Sequence, residues 1–170
     1  MVAATEENTI YGNDTPQSTM NTQAQILKQH SYYIFERIEG TVKDLSEDEA
    51  TWKPCQDSND IRWILTHMAR IGRILIPQIL EGTVKPGGWD DDYERQPHAL
   101  NELIEDLSKA HEIISEGLDE TSDAELGKSL TLWGREIDCK SLLFHLLAEL
   151  IHHNGQIAML RGTYKRCKDK

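Results

Sequence analysis

One amphipathic stretch near the C-terminus, residues 142–161, constrains the fold more than any other part of the chain. Read at helical spacing, six of its residues recur every three or four positions and share one inward-facing stripe. These six are Leu142, Leu146, Glu149, His153, Ile157 and Leu160. A carboxylate in an apolar interior is unfavourable unless a positive partner meets it, and Glu149 stands one helical turn from His153. The stretch therefore predicts a helix packed inside a bundle, with a metal ion held at its middle.

Three other stretches show the same helical periodicity. The four predicted helices run from about residue 21 to 42, 60 to 80, 97 to 118 and 138 to 161, with Gly162 expected to cap the last one. The segment 130–137 is compatible with either a small hairpin or an extended crossing. Four amphipathic helices of about twenty residues, with little strand signal, predict an all-α four-helix bundle.

Length and charge narrow the class of protein further. A chain of 170 residues suits one domain, and we expect a flexible N-terminal arm over 1–20, the bundle over 21–165 and a short tail over 166–170. The net charge of -11 argues against nucleic-acid partners and anionic membranes, which require a basic face. No segment resembles a secretory signal or a membrane span. Three scattered cysteines fit reduced thiols, so we expect a cytoplasmic protein.

A metal site needs a donor from a second helix, because Glu149 and His153 alone do not complete it. His67 is the candidate, since it lies mid-helix between apolar residues. His145, one turn before Glu149, is a candidate fourth ligand, a donor that orients Glu149, or a catalytic proton carrier. Two imidazoles and a carboxylate with open positions suit zinc, and nickel or ferrous iron accept the same set.

Two segments of the chain resemble the DinB/YfiT-like family of metal-binding bundles. They are the run from His145 through Glu149 and His153 to Gln156, followed by Leu160-Arg161, and the run Ile61–Met68, preceded by Trp52-Lys53-Pro54. Many members carry histidine where this chain has Glu149, but a branch that includes the metal-binding domain of mycothiol-dependent maleylpyruvate isomerase carries glutamate there. The resemblance implies that His67, Glu149 and His153 are the ligands of zinc or nickel.

The resemblance also implies an enzyme that acts on a small molecule, either with a low-molecular-weight thiol or as a hydrolase, and a homodimer. The alternative is a non-catalytic bundle in which the polar cluster is a structural metal site or a hydrogen-bond network. We expect the three cysteines to be ordinary packing or surface residues. Cys139, at the start of the last predicted helix, is the one of interest, because a helix N-terminus lowers the pKa of a thiol.

Overall fold

The computed structural model describes residues 22–168, and four long helical rods form its frame. Its elements are α1 (Gln23–Val42), α2 (Glu47–Thr51), α3 (Ile61–Arg70), α4 (Ile76–Leu80), α5 (Leu100–Glu120), α6 (Asp123–Leu126), the strands β1 (Ser129–Leu132) and β2 (Arg135–Asp138), and α7 (Cys139–Lys168). The rods are α1, α3 continued by α4, α5, and α7, and their apolar faces share one core. The predicted all-α four-helix bundle is confirmed, and the predicted arm over 1–20 lies outside the described residues.

The second rod begins at a side-chain cap and contains a wide turn. Asp60 accepts a hydrogen bond from the backbone N–H of Trp63 at 2.8 Å, as its position before the apolar run predicts. Residues Ile71–Leu75 form a π-helical turn between α3 and α4. Pro77 follows directly, in the first turn of α4. Since proline has no N–H to donate, the wider turn accommodates it and the rod continues to Leu80.

The connection from α4 to α5, residues 81–99, runs back along the full length of α3, and we call it the return loop. Its Asp91 pairs with Arg70, its Glu94 with His67, and the carbonyl of its His98 accepts a hydrogen bond from Arg62. Because the chain returns to the N-terminal end of α3 before α5 begins, α3 and α5 are parallel. The return loop therefore forms a wall beside the middle of α3.

The segment before α7 is a hairpin, which resolves the alternative left open by the sequence. Leu130 pairs with Ile137 and Leu132 with Arg135. The two turn residues, Trp133 and Gly134, have φ values of 49° and 73°. Positive φ at both central positions gives the turn geometry that matches the twist of a two-residue hairpin. The Trp133 ring reaches the return loop, where it meets Trp89 edge to face at 5.7 Å.

The last helix is longer than predicted, and its buried stripe departs from the prediction at two positions. Gly162 does not end α7, which continues to Lys168. The predicted stripe residues Leu142, Leu146, Ile157 and Leu160 are buried, but the buried side chains in the middle of the helix are those of Leu147, Leu150 and Asn154. Glu149 and His153 each precede a buried residue by one position, which turns them about 100° from the centre of the core face. The prediction that Glu149 faces the interior is therefore wrong, and both residues lie at its edge.

Arg161 of α7 ties three elements together at the opposite end from the hairpin. Its guanidinium donates to the backbone carbonyls of Thr41 and Lys43 at 2.5 and 2.9 Å, and to the carboxylate of Glu49 at 3.2 Å. Glu49 also closes a capping box with Ser46, as the spacing of a serine and a glutamate three residues apart predicts. Between residues 22 and 168, every helix is too short or too polar to cross a membrane.

Candidate metal centre

The structure brings His67 and His153 together from two different helices. His67 lies on α3 and His153 on α7, and their rings meet edge to face with centroids 4.9 Å apart. Both side chains are largely covered, with 27% and 12% of their surface exposed. The structure therefore brings the two predicted histidine ligands together, and their binding of a metal ion stays a prediction.

Each of the two imidazoles has its Nδ1 engaged by a neighbouring side chain. The Nδ1 of His67 lies 2.6 Å from Oε1 of Glu94, and the Nδ1 of His153 lies 2.8 Å from Oε1 of Gln156. When the Nδ1–H donates to an oxygen in this way, Nε2 is left as the nitrogen with a free lone pair. This arrangement is the one that metal-binding histidines adopt in proteins.

The protonation state of His153 also favours a role as a metal ligand. Burial lowers the pKa of His153 below its ordinary value, and the hydrogen bond to Gln156 opposes that change without cancelling it. A lower pKa keeps the imidazole neutral near pH 7, which is the form that can bind a metal ion.

Glu149 and His145 complete the cluster at its exposed edge. Oε2 of Glu149 is 3.5 Å from Nε2 of His153, and its Oε1 is 4.0 Å from Nε2 of His145. The side chains of Glu149 and His145 are 37% and 64% exposed. A carboxylate in contact with water does not require a cation to neutralise it. The argument for a metal ion from a buried carboxylate is therefore wrong, and the case rests on the juxtaposition of donor atoms.

The donor atoms are of types that bind transition metals, but they are not grouped closely enough to hold an ion. Among residues 22–168, no three side chains of His, Cys, Asp or Glu are already grouped as a set that could hold a metal ion. Two imidazole nitrogens and a carboxylate oxygen are nonetheless ligands that zinc accepts. To join His67 and His153 around one ion, the carboxylate of Glu149 would have to turn inward, which its exposure permits.

The surroundings of His67 include groups that the sequence did not reveal. The indole of Trp63 stacks on the His67 ring at 5.8 Å with a 10° angle between the planes. Trp63 precedes His67 by one helical turn, so this contact could have been read from spacing. Glu94 comes from the return loop, and no sequence periodicity connects it to His67. Trp63 and Glu94 also line a cavity of about 440 Å³ between α3 and the return loop.

Cys139 does not have the lowered pKa that a helix N-terminus would favour. Its side chain is buried among apolar neighbours, and burial, followed by the adjacent charge of Asp138, raises the pKa of the thiol. Cys139 is therefore a packing residue, as expected of the three cysteines, because loss of hydration outweighs the effect of the helix N-terminus.

Comparisons with known proteins place the chain in a family. A crystal structure of a DinB-like protein from Bacillus subtilis is similar, with 16% identity and a TM-score of 0.66 over 82% of this chain and 92% of that one. A conserved protein from Enterococcus faecalis is similar at 16% identity and a TM-score of 0.66, over 84% and 96% of the two chains. These likenesses show the fold, and a comparison with curated proteins gave no match. The family model of the DinB superfamily matches residues 34–157. Since this match spans most of the chain, the protein belongs to the DinB superfamily.

Proposed function

We propose that the protein is a metal-dependent enzyme, in which His67, His153 and Glu149 bind a divalent ion, with zinc the expected metal and nickel or iron the alternatives. The observation that carries the proposal is the meeting of His67 and His153 at 4.9 Å, each with its Nδ1 engaged by an oxygen acceptor. With each Nδ1–H donated to an oxygen, Nε2 is the nitrogen of each ring that is left to bind a metal ion.

The reaction that the site would support is hydrolysis or transfer of a thiol group on a small molecule. A bound metal would supply a Lewis acid that polarises the substrate and favours a deprotonated water or thiol. His145 is exposed at the rim, 4.0 Å from Glu149, where it can exchange a proton with solvent. The cavity beside Trp63 has about 440 Å³, which is room for a small molecule with an apolar or flat group against the indole.

Metal binding by designed variants tests the proposal. The protein is stripped with a chelator, dialysed and titrated with zinc in a calorimeter. One equivalent should bind to the wild type, whereas His67→Ala and His153→Ala should lose most of the affinity. His30→Ala is the matched control, because His30 lies on α1, where its ring stacks on Phe144 rather than on a proposed ligand. Equal binding by His153→Ala and His30→Ala would refute the proposed site.

The alternative function is a bundle whose metal or polar network is structural. Chelation separates the two: a structural site should unfold or lose much of its free energy of unfolding when stripped, whereas a catalytic site should stay folded. The core of the bundle is apolar and does not include His67 or Glu149, which supports a fold that persists without the ion.

We also propose a homodimer, as the family resemblance implies. Ile26 and Phe144 flank a shallow apolar groove between α1 and α7, with 55% and 57% of their surface exposed. Sedimentation analysis of the wild type and of Phe144→Glu tests this, since a charge in a buried apolar contact should separate the subunits.

A further inference from the structure

The return loop delivers a carboxylate to His67 and is itself fastened to α3. The Nε–H of Arg70 is shared between the two carboxylate oxygens of Asp91, each 3.0 Å from Nε, and Nη2 of Arg70 lies 2.9 Å from Oδ2 of Asp91. The two side chains are 13% and 20% exposed, so this pair is shielded from water. The hydrogen bond from Arg70 outweighs burial and holds the pKa of Asp91 below its ordinary value. A shielded, forked ion pair of this kind fixes the loop on the helix.

The backbone between Asp91 and Glu94 is ordered by its neighbours. Oδ1 of Asp91 accepts the backbone N–H of Tyr93 at 3.2 Å, at the start of the single 3₁₀ turn Tyr93–Arg95. The hydroxyl of Tyr93 donates to Asp106 of α5 at 2.5 Å. Glu94 lies in the middle of this turn, so its Cα is held between an anchor on α3 and an anchor on α5.

Glu94 reaches back from the turn to the imidazole of His67. Its Oε1 lies 2.6 Å from Nδ1 of His67 and 3.8 Å from Nη1 of Arg70. The stacked indole of Trp63 covers one face of the same ring. A ring with one face packed and Nδ1–H donated to a fixed carboxylate keeps one orientation and one tautomer.

We propose that Glu94 is the positioning residue of the metal site. It accepts the Nδ1–H of His67 and so leaves Nε2 as the nitrogen that can bind the metal ion. Arg70 and Asp91 hold Glu94 in place. This inference rests on the proposed metal-binding function. It extends that function to the return loop, which supplies no ligand and nonetheless sets the orientation of one. Glu94 touches neither substrate nor reacting atoms in this scheme.

The tautomer of His67 in the metal-free protein tests the inference directly. Imidazole ¹⁵N chemical shifts are recorded at pH 8 on histidine-labelled protein, with His67 assigned by His67→Gln. The wild type should show the Nδ1–H tautomer. Glu94→Ala should shift His67 toward Nε2–H, the form that predominates in free neutral imidazole side chains. Glu94→Gln should retain the wild-type tautomer, because its amide oxygen still accepts the hydrogen bond.

Zinc affinity gives a second readout. Glu94→Ala should weaken zinc binding about 10- to 100-fold, the usual effect of losing the hydrogen-bond partner of a ligand histidine, and Glu94→Gln should recover most of the loss. Glu105→Ala is the matched control, since Glu105 is an exposed glutamate paired only with Lys109 at 2.6 Å. Circular dichroism checks that each variant is folded.

The outcomes separate this inference from the proposed function. An Nε2–H tautomer in the wild type, or the same tautomer in the wild type and Glu94→Ala, overturns the role of Glu94. Equal zinc affinity in the wild type and Glu94→Ala overturns it as well, and leaves the metal site standing. If the wild type binds no zinc but its tautomer depends on Glu94, the proposed function fails, while the hold of Glu94 on His67 is supported.

Discussion

The imidazole of His67 meets the imidazole of His153 edge to face, with ring centroids 4.9 Å apart, although the two residues lie on the second and the last long rods of the bundle. The two rings meet only when the two rods are packed together, so the pair exists only in the folded bundle. A ligand that binds both rings must therefore stabilise the native state.

The first prediction is that zinc stabilises the protein through this pair. At about 100 times its Kd, zinc should raise the free energy of unfolding by about 2.7 kcal/mol, measured by urea denaturation. His153→Ala should remove that increase. Magnesium serves as the control, since it prefers oxygen ligands and should leave the unfolding curve unchanged. An increase of the same size in His153→Ala would contradict the prediction.

The second prediction concerns Arg161, which holds the end of α1 and α2 against α7. Arg161→Met should lower the free energy of unfolding by about 3 kcal/mol, because it leaves the buried carboxylate of Glu49 without its partner. Urea denaturation measures the loss. Arg166→Met is the control, since Arg166 is an exposed arginine of the same helix whose guanidinium donates to the nearby Thr163 hydroxyl. Adding Glu49→Met to Arg161→Met should recover part of the loss, and a purely additive result would refute the coupling.

The third prediction is a pH dependence of stability from His111. Burial lowers the pKa of His111 below its ordinary value of 6.5, and the smaller effects of Glu112 and Glu39 oppose that change. Its Nε2 is buried with no hydrogen-bond partner among residues 22–168, and its ring stacks on Phe35 at 4.8 Å. The unfolded chain thus binds a proton more readily than the folded one. Stability should fall as the pH drops through 6.5, and level off below the folded pKa.

His111→Phe checks this prediction, because phenylalanine keeps the aromatic stacking and cannot be protonated. The free energy of unfolding is measured by urea denaturation between pH 5 and pH 8. The variant should lose less stability than the wild type over the acid part of this range. Parallel curves for the two proteins would show that His111 does not contribute.

The fourth prediction is that Gly72 is required by the packing of the π-helical turn on α5. A Cβ at position 72 would lie 2.6 Å from the Cβ of Ala110, closer than two carbon atoms can approach. Gly72→Ala should therefore cost about 1–3 kcal/mol, despite the better helix propensity of alanine. Gly40→Ala is the control: it lies in α1 with nothing within 4 Å of its Cβ, and should stabilise the protein. Adding Ala110→Gly to Gly72→Ala should relieve the clash.

The sequence predicted those parts of the fold that depend on local signals. The capping box at Ser46 forms as its spacing predicts, and the second rod is capped from the polar run before it, by Asp60, because each cap needs only residues within one turn. The helical periodicity also predicted the rods, and four of the six stripe positions on α7 are buried as expected. It failed at Glu149 and His153, because a spacing of three or four residues cannot by itself distinguish Glu149 from its neighbour Leu150 at the centre of the buried face.

The parts that the sequence did not reveal depend on contacts between distant segments. The return loop brings Glu94 to His67, and the packing of α7 brings Arg161 to the carbonyls of Thr41 and Lys43. No periodicity links these positions, since a loop has no fixed rise per residue. The orientation of the His67 ring was therefore out of reach of sequence reasoning, even though the residue itself was identified.

The return loop is longer than its path requires. The rod from Ile61 to Leu80 is roughly 30 Å long, while a fully extended chain of the same number of residues would reach roughly 60 Å. The turn at Lys85–Gly88 and the 3₁₀ turn at Tyr93–Arg95 accommodate the excess length. Extra residues at Gly87 should therefore be absorbed without reaching the histidines, whereas a single residue inserted between Asp91 and Glu94 would carry the carboxylate away from His67.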